Sequence, residues 1–375
     1  MAGVYIHIPF CKKRCHYCDF YKTLDTGMAD QFLNALGKEI IIQKDYLEHN
    51  NVETIYFGGG TPTVLTAIQL QAILESLYNT FDVGEDAEIT IEANPDDIDK
   101  LYVRDLKKAG INRISLGIQS WNDRVLKQLN RRHTVIEAEK ALDAILAAGI
   151  ENISADLIYG IPGMTAKQWT ADLQKTMGYD IKHLSAYHLT IEPGTVFGKM
   201  KEAGELKEIE EEESENQFNI LTKICNKNGF IQYEISNFCK DGYYSVHNTN
   251  YWKQQPYLGL GPSAHSYRGE TRQWNVSDLS EYLKTLDKNA IPFTREILTA
   301  KDLYNEYIMT SLRTMWGINL DFVEENINKE SRDYLNNLAT RFVKYGMITR
   351  NGNQLLLTDQ GKMISDNIIS ELMMV

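Results

Sequence analysis

The chain has 375 residues, a formal net charge of −12 and 43% hydrophobic residues. This length favours one large domain followed by a smaller one, with enough apolar residues for a sizeable core. The acidic balance argues against nucleic acid as the main partner, because phosphate binding draws on clustered Lys and Arg. The sequence has no secretory signal and no apolar run long enough to span a membrane, so we expect a cytoplasmic protein with at most peripheral membrane contact.

Three cysteines lie close together near the start of the chain, at Cys11, Cys15 and Cys18 in the run YIHIPFCKKRCHYCDF. Their C-x3-C-x2-C spacing supplies three thiolates from one short loop, and both iron–sulfur clusters and zinc bind thiolate sulfur. A closed zinc site needs four ligands, which His16 could complete, and a redox pair needs only two cysteines. Three thiolates on a four-iron cluster leave one iron open to a ligand. The spacing therefore favours a [4Fe–4S] cluster.

Short β-like runs alternate with longer amphipathic helical patterns in the first half of the chain. The predicted strands are Val4–Ile8, Thr54–Phe57, Glu88–Glu92, Arg113–Gly117, Ile153–Ile158 and His183–Thr190. The clearest helices between them are predicted at Met28–Tyr46, Ala67–Phe81, Val135–Ala148 and Ala166–Met177. This alternation implies a parallel sheet whose right-handed connections curl it towards a barrel. Ligands of such sheets gather at the carboxyl ends of the strands.

Polar and glycine residues follow the predicted strands at that edge. The run GGGT at residues 58–61 follows the second strand, Glu92 ends the third, Gln119 follows the fourth, and Asp156 lies towards the end of the fifth. Glycines let a backbone come close to a ligand, and carboxylates can hold ribose hydroxyls or an ammonium group. Each feature alone could be a tight turn, a helix cap or half of a salt bridge. Four of them in register predict a ligand site at one rim.

A second motif, SVHNTNYW at Ser245–Trp252, places an imidazole just before aromatic side chains. Imidazole is a common axial ligand of heme iron, and the Tyr and Trp could form a stacking wall for a macrocycle. The alternative is a structural corner in which His247 is hydrogen-bonded in the core. His265, in GLGPSAHSY, is a second imidazole, which we expect to be structural. Cys225 and Cys239 lie far from the triplet and are expected to be ordinary buried thiols.

The pattern changes after about Pro292. Helical runs and a hairpin around an Asn-Gly turn are predicted there, at Ala300–Met315, Asp321–Asn328, Ser331–Lys344, Gly346–Arg350 and Gln354–Thr358, followed by a helix after Asp359. Three helices and a β-wing suggest a winged-helix-like domain. Acidic residues outnumber basic ones from Glu296 onward, which favours a lid or interaction surface over DNA binding. We expect a barrel region with the cluster loop at 1–230, a connecting region with SVHNTNYW at 231–292, and this domain at 293–375.

Several of these motifs together resemble the HemN/HemW group of radical S-adenosylmethionine (SAM) proteins: the cysteine triplet with Tyr17, its flanks YIHIPFC and CDFY, and the runs GGGTPT and HNTNYW. The resemblance extends along nearly the whole chain. It implies an α/β fold, a radical SAM partial (β/α)6 barrel with a C-terminal winged-helix-like α+β domain. It also implies that Cys11, Cys15 and Cys18 hold a [4Fe–4S] cluster whose open iron chelates the amino and carboxylate groups of SAM.

The resemblance also identifies further site residues in this sequence. Those it implies to contact the cluster or SAM are Tyr5, Gly59, Gly60, Thr61, Glu92, Gln119, Arg131 and Asp156. Arg132 is the alternative to Arg131, because a slip of one residue would exchange the two. Phe20 is either a stacking residue near the cofactor or a core aromatic.

Two features separate this chain from the decarboxylating member of the group, coproporphyrinogen III dehydrogenase. That enzyme has a further Cys two positions beyond the triplet, where this chain has Phe20, and a long segment before the first cysteine, where this chain has ten residues. The H-N-x-x-Y-W pattern is associated with heme handling in the group. The resemblance therefore implies a heme carrier that binds heme through His247 and delivers it to hemoproteins, including respiratory ones. It also implies an electron donor of the flavodoxin or ferredoxin type. Oxidative decarboxylation of porphyrinogen propionates is the alternative.

Overall fold

The computed structural model describes residues 1–47 and 51–374. Within them a twelve-stranded sheet and a separate three-stranded sheet are surrounded by helices. The strands are β1 Gly3–Ile8, β2 Asn51–Gly59, β3 Asp82–Ala93, β4 Arg113–Gln119, β5 Asn152–Tyr159, β6 His183–His188, β7 Ile231–Gln232, β8 Asn237–Cys239, β9 Tyr257–Leu260, β10 His265–Arg268, β11 Thr271–Asn275, β12 Phe293–Ile297, β13 Ile318–Asn319, β14 Ile348–Asn351 and β15 Gln354–Leu357. Residues 48–50 and 375, which the expected regions 1–230 and 293–375 include, lie outside the described ranges.

Fifteen helices are found in the described residues, several of them opened by Thr or Asp side chains that accept hydrogen bonds from first-turn amides. They are α1 Ala29–Ile42, α2 Ala67–Thr80, α3 Lys100–Lys108, α4 Asp123–Gln128, α5 Val135–Ala147, α6 Ala166–Thr176, α7 Val196–Glu202, α8 Glu211–Lys227, α9 Val246–Trp252, α10 Leu279–Leu286, α11 Ala300–Ser311, α12 Leu320–Asn326, α13 Lys329–Lys344, α14 Asp359–Met363 and α15 Ser365–Leu372. None of the helices in 1–47 and 51–374 has the length and apolar content needed to cross a membrane.

Strands β1 to β6 pair in parallel and in chain order, which confirms the six predicted strands and the parallel sheet. Their side chains alternate between two faces. On β4, Ile114, Leu116 and Ile118 are fully buried in the hydrophobic core, whereas Arg113 and Ser115 point to the opposite, inner face. The other five strands follow the same alternation. Because most parallel sheets are apolar on both faces, this polar inner face indicates a role other than packing.

The chain after α8 extends the sheet at both edges, in the order β12-β11-β10-β9-β1-β2-β3-β4-β5-β6-β8-β7. Strands β7 and β8 continue antiparallel beyond β6, and β9 pairs in parallel with β1. The expected connecting region 231–292 thus supplies edge strands, and β12 continues the same sheet past residue 292. The boundaries at 230 and 292 stay predictions. Helix α9, which carries the HNTNYW motif, links β8 to β9 and lies against the inner face of β2 and β3.

The C-terminal part has its own hydrophobic core, formed by residues between Tyr304 and Leu372. Its antiparallel sheet has the order β13-β15-β14, and Asn351 and Gln354 close the predicted Asn-Gly hairpin, with Gly352 at φ 63°. The helices and this wing give the predicted winged-helix-like arrangement. The backbone N–H of Met315 donates to the carbonyl of Tyr233 at 2.9 Å, joining this part to the edge of the large sheet.

A buried carboxylate ties α1 to the extended edge of the large sheet. Glu39 is fully buried and accepts three hydrogen bonds, from the backbone N–H of Gly261 at 2.8 Å, the Asn275 amide at 2.6 Å and the Tyr282 hydroxyl at 2.6 Å. Gly261 has φ 94°, and a Cβ there would lie 2.5 Å from the carbonyl oxygen of His7. Burial raises the pKa of Glu39. The carboxylate therefore holds the β9–β10 turn beside the strand that leads into the cysteine loop.

We expect Glu39→Ala to lower the free energy of unfolding by about 3 kcal/mol, because three buried donors lose their acceptor. Glu39→Gln should lose less, since its side-chain oxygen still accepts. Thermal and urea unfolding followed by circular dichroism measure both. Glu75→Ala, at an exposed position on α2, is the matched control and should change stability little. Equal effects of Glu39→Ala and Glu75→Ala would contradict the assignment.

Candidate functional site

A cavity of about 550 Å³ lies at the carboxyl ends of the parallel strands, between the cysteine loop and the inner face of the sheet. Ten of the predicted site residues line it: Cys11, Cys15, Cys18, Gly59, Gly60, Thr61, Glu92, Gln119, Arg131 and Asp156. Tyr5 and His247 lie behind its wall. A Cβ on Gly58 would lie 2.9 Å from the ring of Tyr5, so that ring packs beneath the glycine run.

Each of the three cysteine sulfurs has a different polar neighbour. The Sγ of Cys11 lies 3.5 Å from the Thr61 hydroxyl, that of Cys15 accepts from the Arg131 guanidinium at 3.5 Å, and that of Cys18 accepts from the Lys22 ammonium at 3.2 Å. Burial raises the pKa of the Cys11 thiol, and the bond to Thr61 opposes this rise. The hydroxyl and the two cationic groups can donate hydrogen bonds to thiolate sulfurs, the form of cysteine that binds metal.

The three cysteines that border the cavity offer sulfur ligands to a cluster or to a single ion. Within residues 1–47 and 51–374, no three His, Cys, Asp or Glu side chains are close enough to share one metal ion. In a four-iron cluster each thiolate binds a different iron, so wider spacing is expected. The suggested fourth zinc ligand, His16, instead places its Nδ1 3.0 Å from the backbone carbonyl of Gln128. The donor set therefore fits a [4Fe–4S] cluster bound through Cys11, Cys15 and Cys18.

The glycine run packs directly against the start of the cysteine loop. The backbone N–H of Gly60 donates to the carbonyl of Ile8 at 2.8 Å, and that of Thr61 donates to Phe10 at 2.7 Å. A Cβ on Gly60 would lie 2.6 Å from the Phe10 carbonyl oxygen, and Gly59 has φ 104°. The close approach of two backbone segments therefore requires glycines here. The same glycines also border the cavity.

Two half-buried carboxylates, Glu92 on β3 and Asp156 on β5, face the cavity from the inner face. Glu92 accepts from the Tyr56 hydroxyl at 2.9 Å, and Asp156 accepts from the hydroxyls of Ser115 at 2.8 Å and Ser154 at 2.9 Å. Burial raises the pKa of Glu92 to about 7, with the Tyr56 hydrogen bond opposing and nearby Asp156 adding to the rise. Burial also raises the pKa of Asp156. Oriented carboxylates of this kind can bind hydroxyls or a cationic group.

The geometry distinguishes the two candidate arginines. Arg131 donates to the Sγ of Cys15, to the Gly117 carbonyl at 2.9 Å and to the side-chain oxygen of Asn94. Arg132 instead pairs with two carboxylates of the loop after β3, at 3.0 and 2.8 Å. Of the two, Arg131 is therefore the one that contacts a cluster cysteine.

Gln119, at the end of β4, has φ 65°, a conformation that a non-glycine residue rarely adopts. Such strain is concentrated at functional sites, and here it occurs at the cavity rim.

Phe20 also borders the cavity, with 71% of its surface exposed. It is therefore a rim residue, which rules out the core-aromatic alternative.

Several cavity residues were not predicted, among them Tyr56, Asn94, Ser115, Ser185 and Tyr187. Three of them, Tyr56, Ser115 and Ser185, are inward-facing strand positions. Side chains separated by an even number of residues on a strand share one face. Each of these three residues has such a spacing to another inward-facing residue of its own strand. The alternation of the predicted strands would therefore have identified them from the sequence. Asn94 follows β3 at the same rim, and Tyr187, near the end of β6, shares the inner face with Ser185.

The contacts of His247 match the structural alternative for the HNTNYW motif. Its side chain is buried, with Nδ1 2.7 Å from the Thr54 hydroxyl and Nε2 2.8 Å from the Tyr251 hydroxyl. Burial lowers the pKa of this imidazole to about 3, so it is neutral. With both ring nitrogens engaged, neither is available to an iron in this arrangement. His265 is exposed and stacks on Trp274, with ring centroids 5.9 Å apart.

Comparison with known proteins agrees with this architecture. The Radical SAM superfamily model matches residues 5–175, and the HemN C-terminal domain model matches residues 298–364. The chain is 33% identical to the heme chaperone HemW of Bacillus subtilis (strain 168), with 98% of each chain covered. It is 32% identical to the heme chaperone HemW of Lactococcus lactis subsp. lactis (strain IL1403), with 99% of this chain and 97% of the relative covered.

The solved structure of coproporphyrinogen III oxidase (HemN) from Escherichia coli has the same fold. It aligns with a TM-score of 0.85 over 99% of this chain and 89% of that chain, at 24% identity. This similarity and the two family models confirm the predicted fold class, an α/β radical SAM partial barrel with a C-terminal α+β domain. At this level of identity the alignment establishes the fold alone.

We expect anaerobically reconstituted protein to bind about four irons per chain, the content of one [4Fe–4S] cluster. Substitution of Cys11, Cys15 or Cys18 by Ser should abolish cluster assembly, as measured by iron and sulfide analysis and the visible absorption spectrum. Cys225→Ala, which removes a buried thiol outside the site, should retain the iron. Stoichiometric zinc without iron uptake would refute the cluster assignment.

The raised pKa of Glu92 predicts a pH dependence of SAM binding. SAM affinity should fall as the pH decreases through about 7, because the protonated carboxyl loses its charge and its attraction for a cationic ligand. Glu92→Gln should bind SAM more weakly above that pH and show a flatter profile. Isothermal titration on either side of the midpoint measures both. A wild-type affinity independent of pH would show that Glu92 does not contact SAM.

Proposed function

The chain belongs to the HemW family of radical SAM proteins, and on this basis we propose that it is a heme chaperone that binds heme and delivers it to hemoproteins. The observation that carries this proposal is the similarity to proteins named heme chaperone HemW over practically the full length of both chains. Respiratory hemoproteins are the recipients that the sequence resemblance suggests. The clustered thiols require a reducing compartment, for which we propose the cytoplasm.

We further propose that the cavity holds a [4Fe–4S] cluster and SAM. Cys11, Cys15 and Cys18 would hold the cluster, while Glu92, Gln119 and Asp156 would bind the polar groups of SAM. When bound, the cluster supplies single electrons to SAM, and the electron donor would be of the flavodoxin or ferredoxin type. Arg131 and Lys22 stabilise the negative charge on the sulfurs through their contacts with Cys15 and Cys18.

The position of Phe20 supports a carrier over a porphyrinogen decarboxylase. This aromatic side chain borders the cavity mouth at the position where the sequence resemblance places an additional Cys in the decarboxylating enzyme. A phenyl ring provides neither a metal ligand nor a proton donor at that point. The fold shared with HemN does not separate the two functions, because carriers and decarboxylases of this group are expected to share it.

The heme ligand remains a prediction. His247 was predicted from its motif, yet both of its ring nitrogens already have hydrogen-bond partners. Ligation would require one of these bonds to break and the buried imidazole to turn towards solvent. The heme chaperone proposal therefore does not depend on His247, and the experiment below leaves the ligand open.

We expect the anaerobically purified protein to bind heme, giving a Soret band that saturates on titration, and to leave coproporphyrinogen III unchanged in the presence of SAM and reductant. Heme titration by absorption and product analysis by chromatography measure the two activities on one preparation. Bovine serum albumin treated in parallel reports nonspecific heme adsorption. Sustained conversion of coproporphyrinogen III to protoporphyrinogen IX would contradict the chaperone proposal and show that the protein is the decarboxylating enzyme.

A further inference from the structure

Helix α9 begins at a buried ion pair inside the barrel. The backbone N–H groups of Val246 and His247 donate to the carboxylate oxygens of Glu88, both at 3.0 Å. Glu88 lies 3.9 Å from the buried guanidinium of Arg113, and the Ser245 hydroxyl caps the same turn. The start of the HNTNYW helix is therefore fixed to the inner faces of β3 and β4, directly below the candidate SAM cavity.

The motif's histidine packs against a residue that supports a predicted SAM contact. The His247 ring stacks on Tyr56, with centroids 5.0 Å apart and planes inclined by 25°. The Tyr56 hydroxyl in turn donates to Glu92 at 2.9 Å. Because His247 is held on both ring nitrogens, it fixes the Tyr56 ring and so the direction of the hydrogen bond to Glu92.

The next residue, Asn248, is the member of the HNTNYW motif that lines the cavity. Its side chain is partly buried and makes no hydrogen bond to another residue in the described part of the chain. By contrast, its neighbours Thr249 and Asn250 are buried. An amide without protein partners, placed in a cavity that Glu92 and Asp156 also line, leaves one donor and one acceptor group for a ligand.

We propose that the HNTNYW helix belongs to the SAM site: Asn248 hydrogen-bonds the adenosyl part of bound SAM, and His247 acts as a positioning residue for Glu92 through Tyr56. The adenosyl part is favoured because its hydroxyls and adenine edge need both donors and acceptors, which an amide beside carboxylates provides. This inference rests on the proposed presence of SAM in the cavity. It gives the motif a role in SAM binding, and the heme ligand stays a separate prediction.

Asn248→Ala should weaken SAM binding about threefold to tenfold, the range expected for one lost hydrogen bond. Iron content and heme affinity should remain at the wild-type level. Lys253→Ala is the matched control, since Lys253 directly follows the same helix. Its ammonium lies 4.6 Å from the Trp316 ring centroid, and the residue does not line the cavity. Asn248→Ser, which keeps a smaller polar group, should bind SAM with an intermediate affinity and guards against a folding defect in the Ala variant.

The link from Tyr56 to Glu92, through which His247 would act, is tested by Tyr56→Phe, which keeps the ring against His247 and removes the hydroxyl. The groups that face Glu92 are Tyr5, Tyr56, Arg113, Asp156, Tyr187 and Tyr251. Because the Tyr56 hydrogen bond stabilises the ionised carboxylate, its loss should move the pH midpoint of SAM binding upward. A purely structural effect would change affinity without moving that midpoint.

The outcomes separate this inference from the proposed function. Normal SAM affinity in Asn248→Ala, or loss of heme binding with normal SAM affinity, would overturn the inference while the chaperone proposal stands. Wild-type protein that binds SAM but no heme would overturn the chaperone proposal, and a weakened Asn248→Ala variant would still support the inference. Wild-type protein that binds no SAM would overturn the inference and the proposed SAM site together.

Discussion

A β-strand sends successive side chains to opposite faces, and in β1–β6 this alternation separates two environments. One face carries the aliphatic residues that form the main core with the helices. The other carries Tyr, Ser, Glu, Asp, Arg and His side chains at alternating positions. Burying polar groups is unfavourable unless they are hydrogen-bonded, so this inner face must either pair its groups internally or leave them to a ligand. In this structure some inner-face groups are paired internally and others face the cavity, depending on their position along the strands.

Towards the amino ends of the strands several polar groups are paired internally, although Thr90 Oγ1 and Arg113 Nε have no hydrogen-bond partner among the described residues. The His183 ring bridges the Ser154 hydroxyl at 2.8 Å and the Tyr233 hydroxyl at 2.7 Å, while Glu88 binds the start of α9. Towards the carboxyl ends the groups face the cavity, and some of their hydrogen-bonding capacity remains free. The barrel floor is thus closed by the protein itself, and the rim is open to the cofactors that we propose.

The six parallel strands were predicted correctly because each depends on a local pattern. The fold brings the predicted cysteines and strand-end residues together at one cavity. The raised pKa of Glu92 and the separate roles of Arg131 and Arg132 depend on neighbours distant in sequence. The edge strands β7 to β12 were missed because two- to five-residue runs carry little periodic signal. The position of α9 could not be predicted for another reason. A motif shows which residue types stand together, whereas only the fold shows that its imidazole points into the core and its next residue into the cavity.

Tyr5 illustrates the same limit. The resemblance implied that Tyr5 contacts the cluster or SAM. Strand alternation places it on the inner face but gives no information on depth, and it lies beneath Gly58 instead of lining the cavity. Its ring packs beside the stacked pair of Tyr56 and His247, with centroid distances of 6.1 and 6.5 Å. Tyr5 therefore supports the site from below. The residues behind the wall form an aromatic layer that holds the cavity-facing residues in place.

We propose that the inner face of the barrel and the cysteine loop form one site for cluster and SAM. A crystal structure of the anaerobically reconstituted protein with SAM tests it most directly. We expect the cluster on Cys11, Cys15 and Cys18, with SAM extending from its open iron to Glu92, Gln119 and Asp156. A cluster or SAM molecule bound away from these residues would contradict the account.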